Sequence, residues 1–464
     1  MTQTSPPDAA NKRTVLLVAT LSSFLAPFMS SAVNIALPSI GAELAIDALS
    51  LSWVATVYLL AAAMFMVPFG RISDIYGRKR VFLYGLLVFT LSSFLIGVAR
   101  STVWLILFRA VQGVGAAMIF GTGVAILTSV FPPGERGQVL GLNVAAVYVG
   151  LSLGPFLGGL LTEHLGWRST FLINVPLGMI IIGLVAWQLE GEWAGARGER
   201  FDVAGSVIYG LALVLVMYGL SRLPEPLGFG LILAGAVAAI AFVAWERRID
   251  EPVLELSLFG HNLVFAFSNV AALINYSATA AVGFLLSLYL QYIQGLSPKW
   301  AGLALVAQPA MQAVFSPFAG RLSDRVEPRI VASLGMLFTF VGLIPFAFLS
   351  KGTPLPLLIA DLMLLGLGFA LFSSPNTNAI MSSVERQFYG VASATLATMR
   401  LIGQMLSMGI AMLIFALYIG QVQITAAYHL QFLKSVRMAF AVFALFCFVG
   451  IFFSLSRGRL RPQG

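Results

Sequence analysis

Fourteen apolar stretches, each about as long as a membrane-crossing helix, follow one another along this chain of 464 residues. A bilayer core of about 30 Å needs roughly 20 apolar residues per helix, and backbone groups in lipid must be bonded within their own segment. Only 10% of the residues are charged, whereas soluble proteins carry about 25%. The sequence therefore predicts an all-α membrane protein with 14 transmembrane helices, at residues 14–40, 49–69, 81–98, 103–129, 137–161, 169–188, 203–220, 226–244, 262–291, 300–319, 330–349, 355–380, 390–418 and 435–456.

Lysine and arginine are distributed unevenly over the loops between these stretches. With the N-terminus inside, 18 of the 27 bases lie on the cytoplasmic side, seven lie outside, and Arg109 and Arg400 lie within the membrane. Because positive residues favour cytoplasmic loops, we expect a multi-pass protein of the cell membrane with both termini in the cytoplasm. The bases occupy short loops and form no continuous stripe, which argues against a nucleic-acid partner.

A short polar motif occurs twice, 250 residues apart, as Gly70-Arg-Ile-Ser-Asp74 and Gly320-Arg-Leu-Ser-Asp324. A repeat on this scale predicts two related, pseudo-symmetric six-helix lobes, and two lobes that rock against each other are the machinery of a transporter. We place the lobes at 14–188 and 262–456, between cytoplasmic tails at 1–13 and 457–464. An inserted helix pair and its polar linkers, interpreted as solvated connectors, then occupy 189–261.

Residues with catalytic or metal-binding chemistry are scarce. The single cysteine, Cys447, lies in an apolar stretch, and the three histidines (His164, His261 and His429) share no ligand spacing. We therefore expect no metal site, no cofactor and no enzymatic activity. A membrane sensor, scaffold or enzyme remains the alternative from another functional class, and the absence of catalytic spacing argues against it.

The first motif, from Gly70 through Gly77 and Arg78 to Arg80, resembles the signature loop between helices 2 and 3 of the major facilitator superfamily. The resemblance implies a conformational latch in which Asp74 faces a helix N-terminus of the other lobe and Arg78 holds the geometry of Asp74. The partial second copy, with Gly320 and Asp324, has Glu327 and Pro328 where the first has a glycine and an arginine, so its latch is expected to be weaker or differently built. The alternative for both loops is a basic turn that only sets topology.

Two further segments resemble signatures of the same superfamily. In helix 4, Arg109-Ala-Val-Gln112 implies a coupling arginine, although a structural arginine bonded to carbonyls and to Gln112 is the alternative. In helix 5, the pattern of Gly150, Gly154, Pro155, Gly158 and Gly159 resembles the antiporter signature of exporters. Small residues four apart also favour close helix packing by themselves.

Segments at 166–178, 291–303 and 390–403 resemble the fourteen-helix drug:proton antiporter branch, so the resemblance covers residues 14–456. It implies a secondary active transporter, expected to be monomeric, that exports small, largely apolar compounds in exchange for protons by alternating access. Since two arginines and few acids lie in the membrane, a carrier of organic anions or lipids without proton coupling is the alternative transport function.

One departure from the branch concerns the proton site. Met29 stands where the branch has an intramembrane aspartate in helix 1, and Asp361 in helix 12 is the remaining buried carboxylate. We expect Asp361 either to carry protons or to form a fixed ion pair with Arg400. Polar or cavity-facing positions expected to line a central substrate cavity are Met29, Ser30, Asn34, Gln112, Asn143, Asn275, Tyr276, Gln308, Gln312, Asn376, Asn378 and Gln404.

Overall fold

The computed structural model describes residues 9–196, 198–249, 252–253, 257–385 and 389–458, and within these ranges all regular secondary structure is helical. We number the helices that follow the predicted spans α1 to α14 and call their ends inner and outer according to the topology predicted from the bases. Their bounds are α1 Ala9–Glu43, α2 Ala48–Tyr76, α3 Arg78–Gly97, α4 Thr102–Val130, α5 Pro133–Leu165, α6 Trp167–Leu172 with Asn174–Gln188, α7 Val203–Arg222, α8 Pro226–Glu246, α9 Leu263–Thr279 with Val282–Leu288 and a π-turn at Tyr289–Ile293, α10 Pro298–Leu305 with Ala307–Arg325, α11 Pro328–Leu343 with a 3₁₀ turn at Pro345–Phe348, α12 Leu355–Ser382, α13 Tyr389–Tyr418 and α14 His429–Leu455.

Thirteen of these helices, among the described residues, are long and apolar enough to cross a membrane. The exception is α10, which turns at Val306 and so consists of two consecutive helices. Its second part carries Gln308 and Gln312 in its first two turns and three charged residues at the inner end. A polar, interrupted helix is tolerated at membrane depth where neighbouring helices surround it.

The two lobes repeat the same close helix contacts. In the first lobe, a Cβ atom at Gly115 of α4 would lie 2.7 Å from the Phe89 nitrogen of α3. In the second lobe, a Cβ atom at Gly368 of α12 would lie 2.7 Å from the Thr339 nitrogen of α11. Contacts under 3 Å leave no room for a side chain, so glycine lets each pair of backbones touch. The same packing at matching positions shows the predicted pseudo-symmetry.

The inserted pair, α7 and α8, lies beside both lobes. The Tyr209 hydroxyl of α7 donates to the Ala63 carbonyl of α2 at 3.0 Å, while a Cβ atom at Gly409 of α13 would lie 2.8 Å from Leu220 of α7. Met217 of α7 is fully buried in a cluster with Leu60 of α2 and Met405 of α13. Through α7, the pair therefore packs against the α2–α13 junction between the lobes.

Candidate functional site

The signature loop is held by an ion pair inside the first lobe. The Arg78 Nε donates to the Asp74 Oδ1 at 2.8 Å, and a second guanidinium nitrogen lies 2.7 Å from the same oxygen. Arg78 also donates to the Ala125 carbonyl of α4 at 3.1 Å and to the Ser129 hydroxyl. Arg78 thus contacts Asp74 and ties the loop to α4.

The linker after α6 packs directly against this loop. The Arg78 nitrogen donates to the Trp193 carbonyl at 2.8 Å, and the Ala196 nitrogen donates to the Asp74 carbonyl at 3.0 Å. The Glu192 carboxylate accepts the Lys79 N–H at 2.9 Å and lies 3.6 Å from Arg80. In this structure the Asp74 carboxylate is paired with Arg78, and the Asp74 backbone carbonyl accepts from the linker. That Asp74 faces a helix N-terminus of the other lobe stays a prediction.

Side chains of the same linker and of the loop also bind each other, which the interpretation of the linker as a solvated connector did not include. Glu199 pairs with Arg71 at the end of α2, and the Lys79 ammonium donates to the Leu189 carbonyl. The signal in the sequence was the set of acids, which complements the bases of the signature loop. We call residues 189–199 the linker strap because, through its described residues, it binds the loop by both backbone and side chains.

The second copy of the motif keeps one bond of the first and replaces another. Ser73 donates to the Gly70 carbonyl at 2.7 Å, and Ser323 donates to the Gly320 carbonyl at 2.7 Å. Asn378 of α12 then donates to the Ser323 hydroxyl at 3.0 Å and to Asp324 at 3.3 Å. The second loop is thus attached to α12 by an amide where the first is attached to α4 by an arginine.

The antiporter-like pattern on α5 has two faces. A Cβ atom at Gly154 would lie 2.7 Å from the Ser31 Cβ, and one at Gly158 would lie 2.7 Å from the Ala32 Cα, both in α1. Gly150 packs on the same helix, where its Cβ would lie 2.6 Å from the Phe24 carbonyl.

The other face of α5 meets α10 of the second lobe. A side chain at Gly302 would collide with the Pro155 carbonyl, and one at Gly159 would collide with the Pro298 carbonyl. Pro155 and Gly159 are four residues apart, so they lie on one side of α5. The motif therefore joins α5 to its own lobe and also brings the two lobes into backbone contact.

Hydrogen bonds extend this contact between the lobes, which we call the outer seal. The Glu163 carboxylate accepts from the Ser297 hydroxyl at 2.6 Å and from the Lys299 nitrogen at 3.0 Å. The Ser287 hydroxyl donates to the Asn34 carbonyl at 2.7 Å, and the Ala48 nitrogen donates to the Val422 carbonyl at 2.9 Å. These contacts lie in the outer half of the helices, so the structure has its outer end closed.

Arg109 is bound by neutral groups on three sides. Its Nε donates to the Val54 carbonyl at 3.0 Å and its Nη1 to the Gln112 Oε1 at 2.7 Å, while Gln112 donates onward to Ser93 at 2.8 Å. The guanidinium lies 4.4 Å from the centre of the Tyr58 ring. Nearby, Met29 is fully buried and its sulfur accepts from Asn174 at 2.9 Å.

The expected ion pair between Asp361 and Arg400 was wrong. Arg400 donates its Nη2 to the Thr377 hydroxyl at 2.9 Å. Thr377 follows Asp361 by sixteen residues on α12, which is about 24 Å along a helix. Arg400 therefore binds near the inner end of α12, whereas Asp361 lies near its outer end, and no arginine side chain spans that height.

Arg457, assigned by its sequence position to the cytoplasmic tail, is instead buried in the second lobe with 1% of its surface exposed. It donates to the Ser454 carbonyl at 2.8 Å, to the Asn376 Oδ1 at 2.9 Å and to the Ser268 hydroxyl at 3.3 Å. A base just after the last apolar residue gave no sign of burial, since such bases ordinarily face water.

The predicted cavity residues divide into two groups. Partly exposed side chains belong to Ser30, Asn34, Gln308, Asn378 and Gln404; buried ones belong to Met29, Gln112, Asn143, Asn275, Tyr276, Gln312 and Asn376. Asn143 accepts from Ser23 at 2.7 Å, and Asn376 donates to the Ser268 carbonyl at 3.1 Å. Each of these two asparagines joins two helices of its own lobe.

Comparison with known proteins identifies a matching family and several similar proteins. The model of the Major Facilitator Superfamily matches residues 19–245 and 269–463. The riboflavin transporter RibZ of Clostridioides difficile (strain 630) is 30% identical over 440 residues, which cover 94% of this chain and 95% of that protein. The cephamycin export protein CmcT of Amycolatopsis lactamdurans is 34% identical over 404 residues, covering 84% and 82%.

A third relative and one solved structure are also similar to this chain. The multidrug resistance protein Stp of Mycobacterium tuberculosis (strain CDC 1551 / Oshkosh) is 32% identical over 378 residues, covering 80% of this chain and 70% of that protein. A bacterial homolog of the human lysosomal transporter Spinster, in an inward-facing and unoccupied conformation, has the same fold, with a TM-score of 0.73 at 16% identity over 97% of this chain and 98% of that one.

Proposed function

The chain belongs to the Major Facilitator Superfamily, and we propose that it exports small, largely apolar compounds by alternating access, in exchange for protons. The observation that carries this proposal is the outer seal, in which the antiporter-like glycines of α5 meet α10 of the other lobe. The names of two relatives, a cephamycin export protein and a multidrug resistance protein, support export of small compounds.

The way in which the two lobes touch supports alternating access. Each lobe has its own close glycine contacts, so it can move as one body, whereas the outer seal consists of one helix crossing and a few hydrogen bonds. Rocking of the lobes would separate α5 from α10 and open the outer end. We further propose that both termini face the cytoplasm and that the protein works as a monomer.

Asp361 is the carboxylate that we propose as the proton carrier. It lies six residues inside α12 from the outer end, is partly exposed, and forms no ion pair with any described residue. A carboxylate with no fixed cationic partner is free to change its protonation state. Because Asp361 lies close to the outer end of α12, it would take up protons from the outer side when the outer seal opens.

The test uses purified protein in liposomes with the inner face of the protein turned to the medium and an acidic lumen. Uptake is measured for a panel of riboflavin, chloramphenicol and ethidium, with and without collapse of the pH gradient. We expect gradient-stimulated uptake of at least one compound, and we expect Asp361→Asn to lose the stimulation while keeping downhill exchange. Glu225→Gln, which neutralises an exposed acid between α7 and α8, is the matched control.

Three results would contradict parts of the proposal. Uptake that is the same with and without the gradient would exclude proton coupling. Stimulation that survives in Asp361→Asn would exclude this residue as the carrier. Failure to transport any compound of the panel, by folded protein, would overturn the export function itself.

A further inference from the structure

Arg109, Arg457 and Arg400 all lie buried or half-buried among the helices, and they differ in how fully their donors are used. Arg109 donates to Val54 and Gln112 and stacks on an aromatic ring. Arg457 donates to three different residues. Arg400 makes one bond, to Thr377, and its Nε is buried with no acceptor among the described residues.

The guanidinium of Arg400 therefore has unused donors at membrane depth. Counted from Tyr389 at the inner end of α13, Arg400 lies about 17 Å along the helix. A guanidinium offers five N–H donors in a fixed fork that matches the two oxygens of a carboxylate. An arginine in the membrane is costly unless it has partners, so unused donors here indicate a group that binds and leaves.

The surroundings of Arg400 are aromatic and apolar. Its guanidinium lies 5.6 Å from the centre of the Tyr276 ring, and Tyr276 packs edge to face against Phe369 at 5.2 Å. Gly403, one turn from Arg400, brings α13 against α9, since its Cβ would lie 2.7 Å from the Leu273 carbonyl. The neighbouring Asn275 is fully buried, and neither of its amide atoms has a partner among the described residues.

No acid in the described part of the membrane interior is placed to neutralise this cation. Asp361 lies about 24 Å along α12 from the threonine that Arg400 binds, and helix 1 carries Met29 in place of an acid. A guanidinium with unused N–H donors beside an aromatic ring favours a ligand that carries an anionic group on an apolar framework.

We propose that Arg400, with Thr377 and Tyr276, binds an oxyanion that offers two oxygens to the guanidinium, a carboxylate or a phosphodiester, carried by an otherwise apolar ligand. The inference rests on the proposed transport function for its biological meaning, because it names the charge of the substrate. The oxyanion can come from a free organic carboxylate or from the headgroup of an anionic lipid. Both sources share the chemistry, and the experiment distinguishes them.

The test measures binding to the purified full-length protein, without transport. Three probes share one apolar body and differ in one group: naphthoate is an anion, naphthamide is neutral and naphthylmethylamine is a cation. We expect naphthoate to raise the unfolding temperature at the lowest concentration. In Arg400→Gln the apparent affinity for naphthoate should fall roughly tenfold to a hundredfold, as expected for lost bonds to a charged group, while that for naphthamide stays unchanged.

Two further variants separate binding from a structural role. Arg400→Lys keeps the charge without the fork and should retain part of the preference for naphthoate. Arg100→Gln removes an exposed charge from the outer loop after α3 and should behave as the wild type. If Arg400 were merely structural, Arg400→Gln would lower the unfolding temperature of the ligand-free protein and leave the order of affinity for the three probes unchanged.

The source of the oxyanion is resolved in nanodiscs. If phosphatidylglycerol competes with naphthoate in the wild type and not in Arg400→Gln, a lipid headgroup reaches the site; if it does not compete while naphthoate still binds, the site takes free carboxylates. Equal protection by naphthoate and naphthamide, or an unchanged preference in Arg400→Gln, would overturn the inference. Because transport is not measured, such a result would leave the export proposal standing.

Discussion

At the scale of single residues, the two glycines of the signature loop differ in how strictly the structure requires them. Gly70 lies within α2, where an added Cβ atom would meet nothing within 4 Å. Gly77 has a φ of 120°, a backbone conformation that residues with a Cβ atom rarely adopt. Its missing side chain also makes room for Glu192, whose Cδ would lie 2.5 Å from an added Cβ. The requirement for glycine is therefore strict at position 77 only.

We accordingly expect Gly77→Ala to destabilise the protein by about 1–2 kcal/mol from backbone strain, with a further loss from displacing Glu192. Gly70→Ala should be neutral or stabilising by roughly 0.5–1 kcal/mol, because alanine is favoured inside helices. Thermal unfolding of the two variants in detergent provides the comparison. Equal destabilisation by both would mean that the linker strap does not hold the loop as described.

At the scale of elements, α5 connects the packing of one lobe to the contact between the lobes. Its glycines at 150, 154 and 158 pack on α1, while Pro155 and Gly159 meet α10. The spacing of small residues predicted a close helix contact, but not that the pattern serves two neighbours. Of the two faces of α5, only the one towards α10 lies between the lobes, so opening the outer seal separates α5 from α10 and leaves its packing on α1 in place.

This arrangement makes Gly302→Ala informative. The added methyl group would collide with the Pro155 carbonyl, so the seal should loosen and the outward-open state should gain population. A cysteine introduced by Asn34→Cys in a Cys447→Ala background would then react several-fold faster with an impermeant maleimide from outside. Gly230→Ala, on α8 with nothing within 4 Å of the added atom, is the control. An unchanged labelling rate in Gly302→Ala would show that this crossing does not close the outer end.

At the scale of the whole molecule, the orientation in the membrane depends on the 18 bases assigned to the cytoplasmic side against the seven assigned outside. The two ends of α3 offer a direct measurement, since Tyr76 and Ser101 flank it and are both exposed. In intact cells an impermeant maleimide should label Ser101→Cys and leave Tyr76→Cys unlabelled until the membrane is permeabilised. The reverse pattern would invert the topology and, with it, the outer position of the seal.

The sequence by itself determined the helices and their pairing into two lobes. An apolar stretch of sufficient length must be helical in lipid, and the repeated loop at Asp74 and Asp324 marks equivalent positions, so neither conclusion needs distant contacts. Even α10, which the structure interrupts at Val306, was located at residues 300–319 as one of the fourteen apolar stretches.

Only the tertiary structure decided which side chains meet. Arg400 binds Thr377 and not Asp361, Arg457 turns into the second lobe, and Glu192 reaches the signature loop. Each outcome depends on the depth and rotation of one helix relative to another, and an error of a few residues along a helix moves a side chain by several ångströms. Hydropathy is a property of one segment and carries no information on these offsets, which are fixed by the packing of glycines such as Gly302 and Gly403 against the backbones of neighbouring helices.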